Sequence, residues 1–406
     1  MATLDVTSAS SALKVYYTNQ RMIQLTYKDC PLYAMIPKHK NFEGSTYPLP
    51  MRVTNPQGRS ATFSNAQGQK QPSNYKTFQL TRKTDYSLAS ITTEAILASS
   101  SNPGAFIRLA TAEIDGALES LKRSIAFKLY GDGSGALGSV DTYSSANPAV
   151  LQFQNPEDIV KIEVGQTLEV RSGATVRNLG AAATSALVTN VNRDTGAFTI
   201  AADNSGATAT VAQGDTVNVV GDYDAAFTGL AGWVPATAPT STPFFSVDRS
   251  VDATRLGGVR VPSTGKPLDE ALIDGARRIN REGGSPDYAF MSFDKYAALE
   301  KTLGSRIRYT SVEIAGTADV TFRAIEVPGP NGVIRCMADR DCPSDRIYLL
   351  TMQSWGLYSL KEPIMIVDLD GNKMLREASA DAYEVRCAFY GQLGCDHPGS
   401  NAVLTF

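Results

Sequence analysis

The chain has 406 residues, 43% of them apolar and 19% charged, with a formal net charge of -3 at neutral pH. That length suits roughly two or three domains with cores large enough to need no covalent staples. The composition excludes a disordered tail or a collagen-like fibre, and the near-balanced charge gives no basic coat of the kind that binds nucleic acid.

Residues 1–44 read as an extended arm. Small and polar residues come first, then an apolar segment LTYKDCPLYAMIPK in which Pro31 and Pro37 interrupt any long helix. Residues 45–90 carry strand character at both ends, TYPLPMRV and YKTFQLTRKTDYSL, around a polar centre, and predict a long two-stranded projection. Its charge is lopsided: Arg52, Arg59, Lys70, Lys76, Arg82 and Lys83 stand against Asp85 alone. A lone hairpin is marginal in water. A basic hairpin with thin apolar content is therefore expected to lie on an acidic neighbouring surface, which makes these six residues candidate contacts between subunits. The plain alternative is a solvated charged loop.

Asn102 and Pro103 make a helix entry, and apolar residues then recur at Ile107, Ala110, Ile114, Leu118, Leu121, Ile125 and Leu129. This predicts one helix about 39 Å long, with Gly131 as its left-handed cap. The next stretch, GSGALG at 133–138, spells the glycine fingerprint of a dinucleotide-binding turn. It follows a helix where a strand is required, and the polar SVDTYSSANPAV behind it offers no helix start to receive a phosphate. RVPSTGKPL at 260–268 fails as a P-loop, with Arg260 in place of the first glycine and Pro267 in place of Ser or Thr. His39 and His397 are the only histidines, and neither adjoins a nucleophile elbow. Cys30, Cys336, Cys342, Cys387 and Cys395 match no zinc-ligand spacing and read as reduced core thiols. No catalytic residue, cofactor or metal is assigned, and the chain is not read as an enzyme. No apolar run approaches the roughly 18 residues that cross a bilayer, so no membrane partner is expected.

Residues 150–225 predict a small all-β unit, with runs QTLEV, SALVTNV, GAFTI and DTVNVV between turns. Nine acids against four bases make it locally acidic and hence expected to be exposed. From 266 onward helix and strand alternate. A helix opens near Leu268 and closes at Gly283 and Gly284, Asp294 is the expected cap of a second helix, and strands follow at DYAFMSF, FRAIEVPG, RIYLLTM, PIMIVDL and YEVRCAFYG.

The order is an arm, a long hairpin, one very long helix ending in LYGDGSG, then DEALIDGARRINREGGSPDYAFMSFDKYAALEKTLGSRIRY and finally DAYEVRCAFYGQLGCDHPGSNAVLTF. It resembles the major capsid proteins of tailed bacteriophages, with the Hong Kong ninety-seven fold. The resemblance lies in element order and texture, outside 150–225. It implies an α+β capsid fold with an N-terminal arm (1–44), an extended β-hairpin loop (45–90), a peripheral domain with the spine helix (91–149), an inserted β-rich domain (150–225), an axial domain (226–350) and a return to the peripheral domain (351–406). The hairpin's target would be segment 361–384 of another copy, which holds six acids against three bases.

The resemblance further implies hexamers and pentamers that self-assemble in the host bacterial cytoplasm into an icosahedral head shell around double-stranded DNA. A portal and a possible decoration protein are implied partners. Because the chain begins directly with the arm, a separate scaffolding protein is implied too. Some relatives join subunits by a lysine to asparagine bond; Lys70 and Lys76 lie in the hairpin, but the sequence marks no partner asparagine or activating acid, and that chemistry is not assigned. An encapsulin-type compartment shell shares the fold and is the alternative, against which the large insertion weighs.

Overall fold

The computed structural model describes residues 30–93, 103–144, 148–180, 183–201, 209–314, 320–368, 371, 373–377 and 381–406. They fall into two units, one running to Ala126 and again from Trp233 onward, the other Phe127–Gly232. Residues 1–29 of the expected arm lie outside the described residues.

In the first unit Pro31 opens a short helix, α1 (Pro31–Met35), at the position where its missing N–H costs nothing. Strand β1 (Lys38–His39) follows. Cys30, Leu32, Tyr33, Ile36 and Phe42 are all buried, so residues 30–44 belong to the body and not to a free arm. Strands β2 (Thr46–Thr54) and β3 (Asn74–Thr81) form an antiparallel hairpin with a short helix, α2 (Phe63–Gly68), in its tip. The chain leaves this hairpin at Arg82, whose guanidinium donates to the Gly44 carbonyl at 2.9 Å and lies over the Phe42 ring. Strand β4 (Lys83–Thr92) then pairs with residues 382–391 of the body. The projection is thus 46–81 and not 45–90, and YKTFQLTRKTDYSL is two strands broken at its arginine.

Helix α3 (Pro103–Lys128) starts at the predicted proline and its 26 residues give the predicted length, while Asn102 lies outside the described residues. Ile114, Ala117, Leu118, Leu121 and Ile125 form its buried stripe, stepping by three and four, and Ser124 donates to Asp85 of β4 at 2.6 Å. The helix ends by tightening: Tyr130 and Gly131 donate to the carbonyls of Phe127 and Lys128, three residues back. Gly131 is not the left-handed cap expected of it. Positive φ appears at Gly133 (100°) and Gly135 (74°) instead. A Cβ on Gly135 would stand 2.4 Å from the Asp222 carbonyl oxygen, so the glycines of GSGALG serve close backbone packing.

The second unit holds strands β5 (Ala136–Ser144), β6 (Ala149–Phe153), β7 (Thr167–Ser172), β8 (Thr175–Val176), β9 (Ala186–Asn192), β10 (Ala197–Ile200) and β11 (Thr216–Val219). Their pairings run β11-β5-β6-β10-β9-β7 and return from β7 to β11, a closed ring that leaves no long edge to manage. Leu137, Leu151, Phe153, Val170, Val188, Phe198 and Val217 fill it. The unit begins well before 150 because β5 is the neighbour that both β6 and β11 need. Its chain ends meet: Gly229 donates to Gly131 at 3.1 Å and Leu230 to Leu129 at 2.7 Å. Each of the segment's four bases pairs an acid within the unit, Lys161 with Asp158, Arg171 with Glu169, Arg177 with Asp215 and Arg193 with Glu163. Glu169 and Asp215 are buried, which corrects the expectation of an exposed acidic surface for those two.

The rest of the first unit contributes β12 (Val259–Pro262), helix α4 (Leu268–Arg281), β13 (Tyr288–Met291), helix α5 (Phe293–Leu303), β14 (Tyr309–Ile314), β15 (Val320–Gly329), β16 (Gly332–Ala338) and β17 (Arg346–Leu350). Then come β18 (Trp355–Ser359), β19 (Met365–Ile366), β20 (Leu375–Arg376), the 14-residue β21 (Ala382–Cys395) and β22 (Ala402–Thr405). Strand β21 organises a six-stranded sheet with β1, β4, β18, β19 and β20, while β12-β22-β17-β13-β16-β15-β14 make a seven-stranded one. Ala271, Leu272, Ala276 and Ile279 of α4 pack on the latter's Ile347, Leu349 and Leu404. Helix α5 is capped by Ser292, whose hydroxyl accepts from the Lys295 N–H; Asp294 sits in the first turn and not at the cap.

The expected common return of 351–406 does not hold for its end, because β22 inserts between β12 and β17. Asn401 fixes the crossing. It is fully buried, its side-chain oxygen accepts from Thr351 N–H and Trp355 Nε1 (both 2.9 Å), and its amide donates to Ser354 Oγ and the His397 carbonyl (both 3.0 Å).

Candidate assembly interface

The hairpin's root is apolar although its composition as a whole is not. Leu49, Val53, Phe78 and Leu80 are buried, and Phe78 meets Trp233 edge-on at 5.1 Å between centroids. Trp233 also packs against Phe244 and Phe245, and its indole N–H donates to the Leu393 carbonyl at 3.0 Å. A tight turn presents this pair of phenylalanines: Phe244 and Val247 exchange backbone hydrogen bonds, while Phe245 (φ 45°) and Ser246 (φ 69°) take the left-handed conformation that side chains resist. Arg249 lies 3.8 Å from the Phe244 ring centre and donates to the Trp233 carbonyl. The same segment grips both edges of the hairpin, since Gln79 N–H donates to the Phe245 carbonyl at 2.9 Å and Arg255 Nη1 to the Val53 carbonyl at 3.0 Å. Sequence reasoning missed this clasp. Its signal was STPFFSV, an adjacent phenylalanine pair shortly after Trp233.

The six basic candidates separate by position. Arg82 and Lys83 lie at the root, half-buried, where the chain passes from hairpin to body. Lys76 is half-buried within the field of Asp248, a carboxyl held below its ordinary range chiefly by hydrogen bonds from Ser250 and to a smaller extent by that lysine. Arg52, Arg59 and Lys70 are exposed. Gln57 and Gln71 bridge the base of the tip, which brings Arg59 and Lys70 to the same end with Phe63, itself 82% exposed. Among the described residues Arg52, Arg59 and Lys70 form no ion pair. Segment 361–384, expected to be their target, is partly engaged within its own chain: Glu362 pairs with Lys40, Glu384 with Arg386, and Asp381 accepts from Thr93 Oγ1 at 2.8 Å. Asp370 lies outside the described residues.

Groups that could suggest chemistry are otherwise occupied. Lys266 of the P-loop-like stretch pairs with Asp274 at 3.2 Å, and Asp269 and Glu270 fill the first turn of α4 with negative charge where a phosphate would have to sit. Burial pushes the thiols of Cys30, Cys387 and Cys395 up to about 12, so they stay protonated and unreactive at neutral pH. His39 stacks on Tyr358, and His397 meets Ser400 only within a local turn.

A family model described as SU10 major capsid protein matches residues 11–374. The chain belongs to that family. It is a major capsid protein of a tailed phage, of α+β class with an all-β unit inserted. No curated protein matches it. Among solved structures, the capsid asymmetric unit of cyanophage A-1(L) is similar at 12% identity and a TM-score of 0.49, covering 92% of each chain. The SrpI encapsulin of Synechococcus elongatus PCC 7942 is similar at 10% identity and 0.45, covering 92% of this chain and 86% of its own. The capsid of Myoviridae phage XM1 stands at 10% and 0.44, covering 92% and 90%. The family assignment rests on the residues matched and not on these distant likenesses.

Proposed function

We propose that this capsid protein forms hexamers and pentamers of an icosahedral head around double-stranded DNA, and that hairpin 46–81 is its extended loop, docking on a neighbouring copy through Arg52, Arg59 and Lys70. The observation that carries the docking is the tip itself: exposed bases without acids, and an exposed phenylalanine, on an element whose root is clamped. A clamped root holds the tip in one orientation, and so less freedom is lost when it docks. Lys76, Arg82 and Lys83 serve the root in this reading and only secondarily the contact. Helix α3 with the six-stranded sheet corresponds to the peripheral domain, the seven-stranded sheet to the axial domain, and residues 132–228 to the insertion. A scaffolding protein, a portal and a decoration protein complete the head, which assembles in the host cytoplasm. The protein needs no cofactor and performs no catalysis. The family match favours the phage head over a cellular compartment. Electron microscopy of the expressed chain tests the reading: closed shells of uniform diameter are expected, and a chain that stays monomeric at every concentration and ionic strength contradicts it.

A further inference from the structure

We propose that the free edge of β3 at Tyr75–Thr77 receives an added strand from a second copy of the chain, while the free edge of β2 is closed to such pairing. The inference takes its partner from the docking reading above and its place from the backbone. Gln79 donates its N–H away from β2, to the Phe245 carbonyl. Backbone direction alternates along a strand, so Thr77 and Tyr75 also point outward, while Phe78 and Lys76 point toward β2. The registered partners of Gln79 and Thr77 are Pro48 and Pro50. In these pairs, which do not bond to each other, the β2 nitrogens face outward too, and both are proline nitrogens with no proton to donate.

The two edges of one hairpin therefore differ. An added strand needs donors and acceptors in alternation; β2 offers acceptors without donors at 48 and 50, and farther along Arg255 already takes the Val53 carbonyl. Tyr75 and Thr77 keep both groups, no described residue accepts from their N–H, and Tyr75 is 63% exposed. An open edge of this kind invites strand addition, and blunting the other with proline limits it to one side. The occupant follows from charge. Residues 45–90 hold six bases against one acid in a chain of net charge -3, so the remainder of a second copy is acidic and electrostatically matched to the hairpin.

Amide hydrogen exchange of the intact chain, compared between unassembled subunits and shells, tests this. The outward amides of Tyr75 and Thr77 are expected to exchange freely in subunits and about tenfold or more slowly in shells. Thr77→Pro removes one outward donor without touching the β2–β3 bonds, and is expected to raise the threshold concentration for assembly about fivefold with circular dichroism unchanged. Equal exchange in subunits and shells overturns the proposal, whatever Thr77→Pro does to folding. If assembly then still depends on Arg59 and Lys70, docking stands and strand addition fails; if it depends on neither, both fail.

Discussion

The hairpin and the barrel unit carry opposite charge imbalances, and they differ in whether their bases find acids nearby. In the barrel every base of 150–225 finds an acid within the unit, two of those acids buried, and Asp222 also holds Lys128, so no base there is left to seek an acid elsewhere, although acids remain in excess. In the hairpin Arg52, Arg59 and Lys70 stay exposed, with no ion pair among the described residues. A count of charges thus says nothing by itself about partners. What matters is whether the chain brings the opposite sign within reach, and here it does so in one region and not in the other.

The comparison is broken most severely by cutting the barrel in the wrong place. Replacing 150–225 with a short Gly/Ser linker removes the partners of β5 and is expected to yield insoluble protein. Replacing 132–228, between the bonded Gly131 and Gly229, is expected to leave a soluble chain; circular dichroism and sedimentation distinguish the two. Next in size is the root of the hairpin. Phe78→Ala opens a cavity beside Trp233 and is expected to cost about 3–5 kcal/mol in denaturant unfolding. Asp215→Ala leaves the half-buried Arg177 guanidinium without its acid and is expected to cost about 2 kcal/mol after allowing for that arginine's partial exposure. The smallest effect is on the thiols. With Cys30, Cys387 and Cys395 pushed up to about 12 by burial, iodoacetamide at pH 8 should add no mass to these three in the native chain and should modify them after denaturation. Rapid native labelling would mean that the cores open.

Much of this was legible in the sequence because it follows local rules. The entry at Pro103, the period of α3 and the alternation in β2 and β3 need only neighbouring residues. The misses share a cause in long-range pairing. Residues 83–90 look like a continuation of the hairpin until β21, some 300 residues later, takes them as its neighbour. Strand β5 looks like polar loop until β6 and β11 close around it. The last strand follows Asn401 into the seven-stranded sheet because of a buried amide hub that no local pattern announces. For the candidate contacts the sequence supplied the basic excess but not its division, since only geometry separates Arg59 and Lys70 at the tip from Arg82 and Lys83 at the root.

Charge reversal at the tip tests the central claim most directly. In Arg59→Glu/Lys70→Glu both substitutions lie on exposed residues of a clamped hairpin, so the subunit should keep its fold and its melting temperature. At low ionic strength the variant is expected to remain as small oligomers, because like charges now meet at the docking surface. Adding salt should restore part of the shells as the Debye length falls toward about 8 Å and below. Normal shells from this variant at low ionic strength would contradict the account and leave the hairpin's bases as solvated surface.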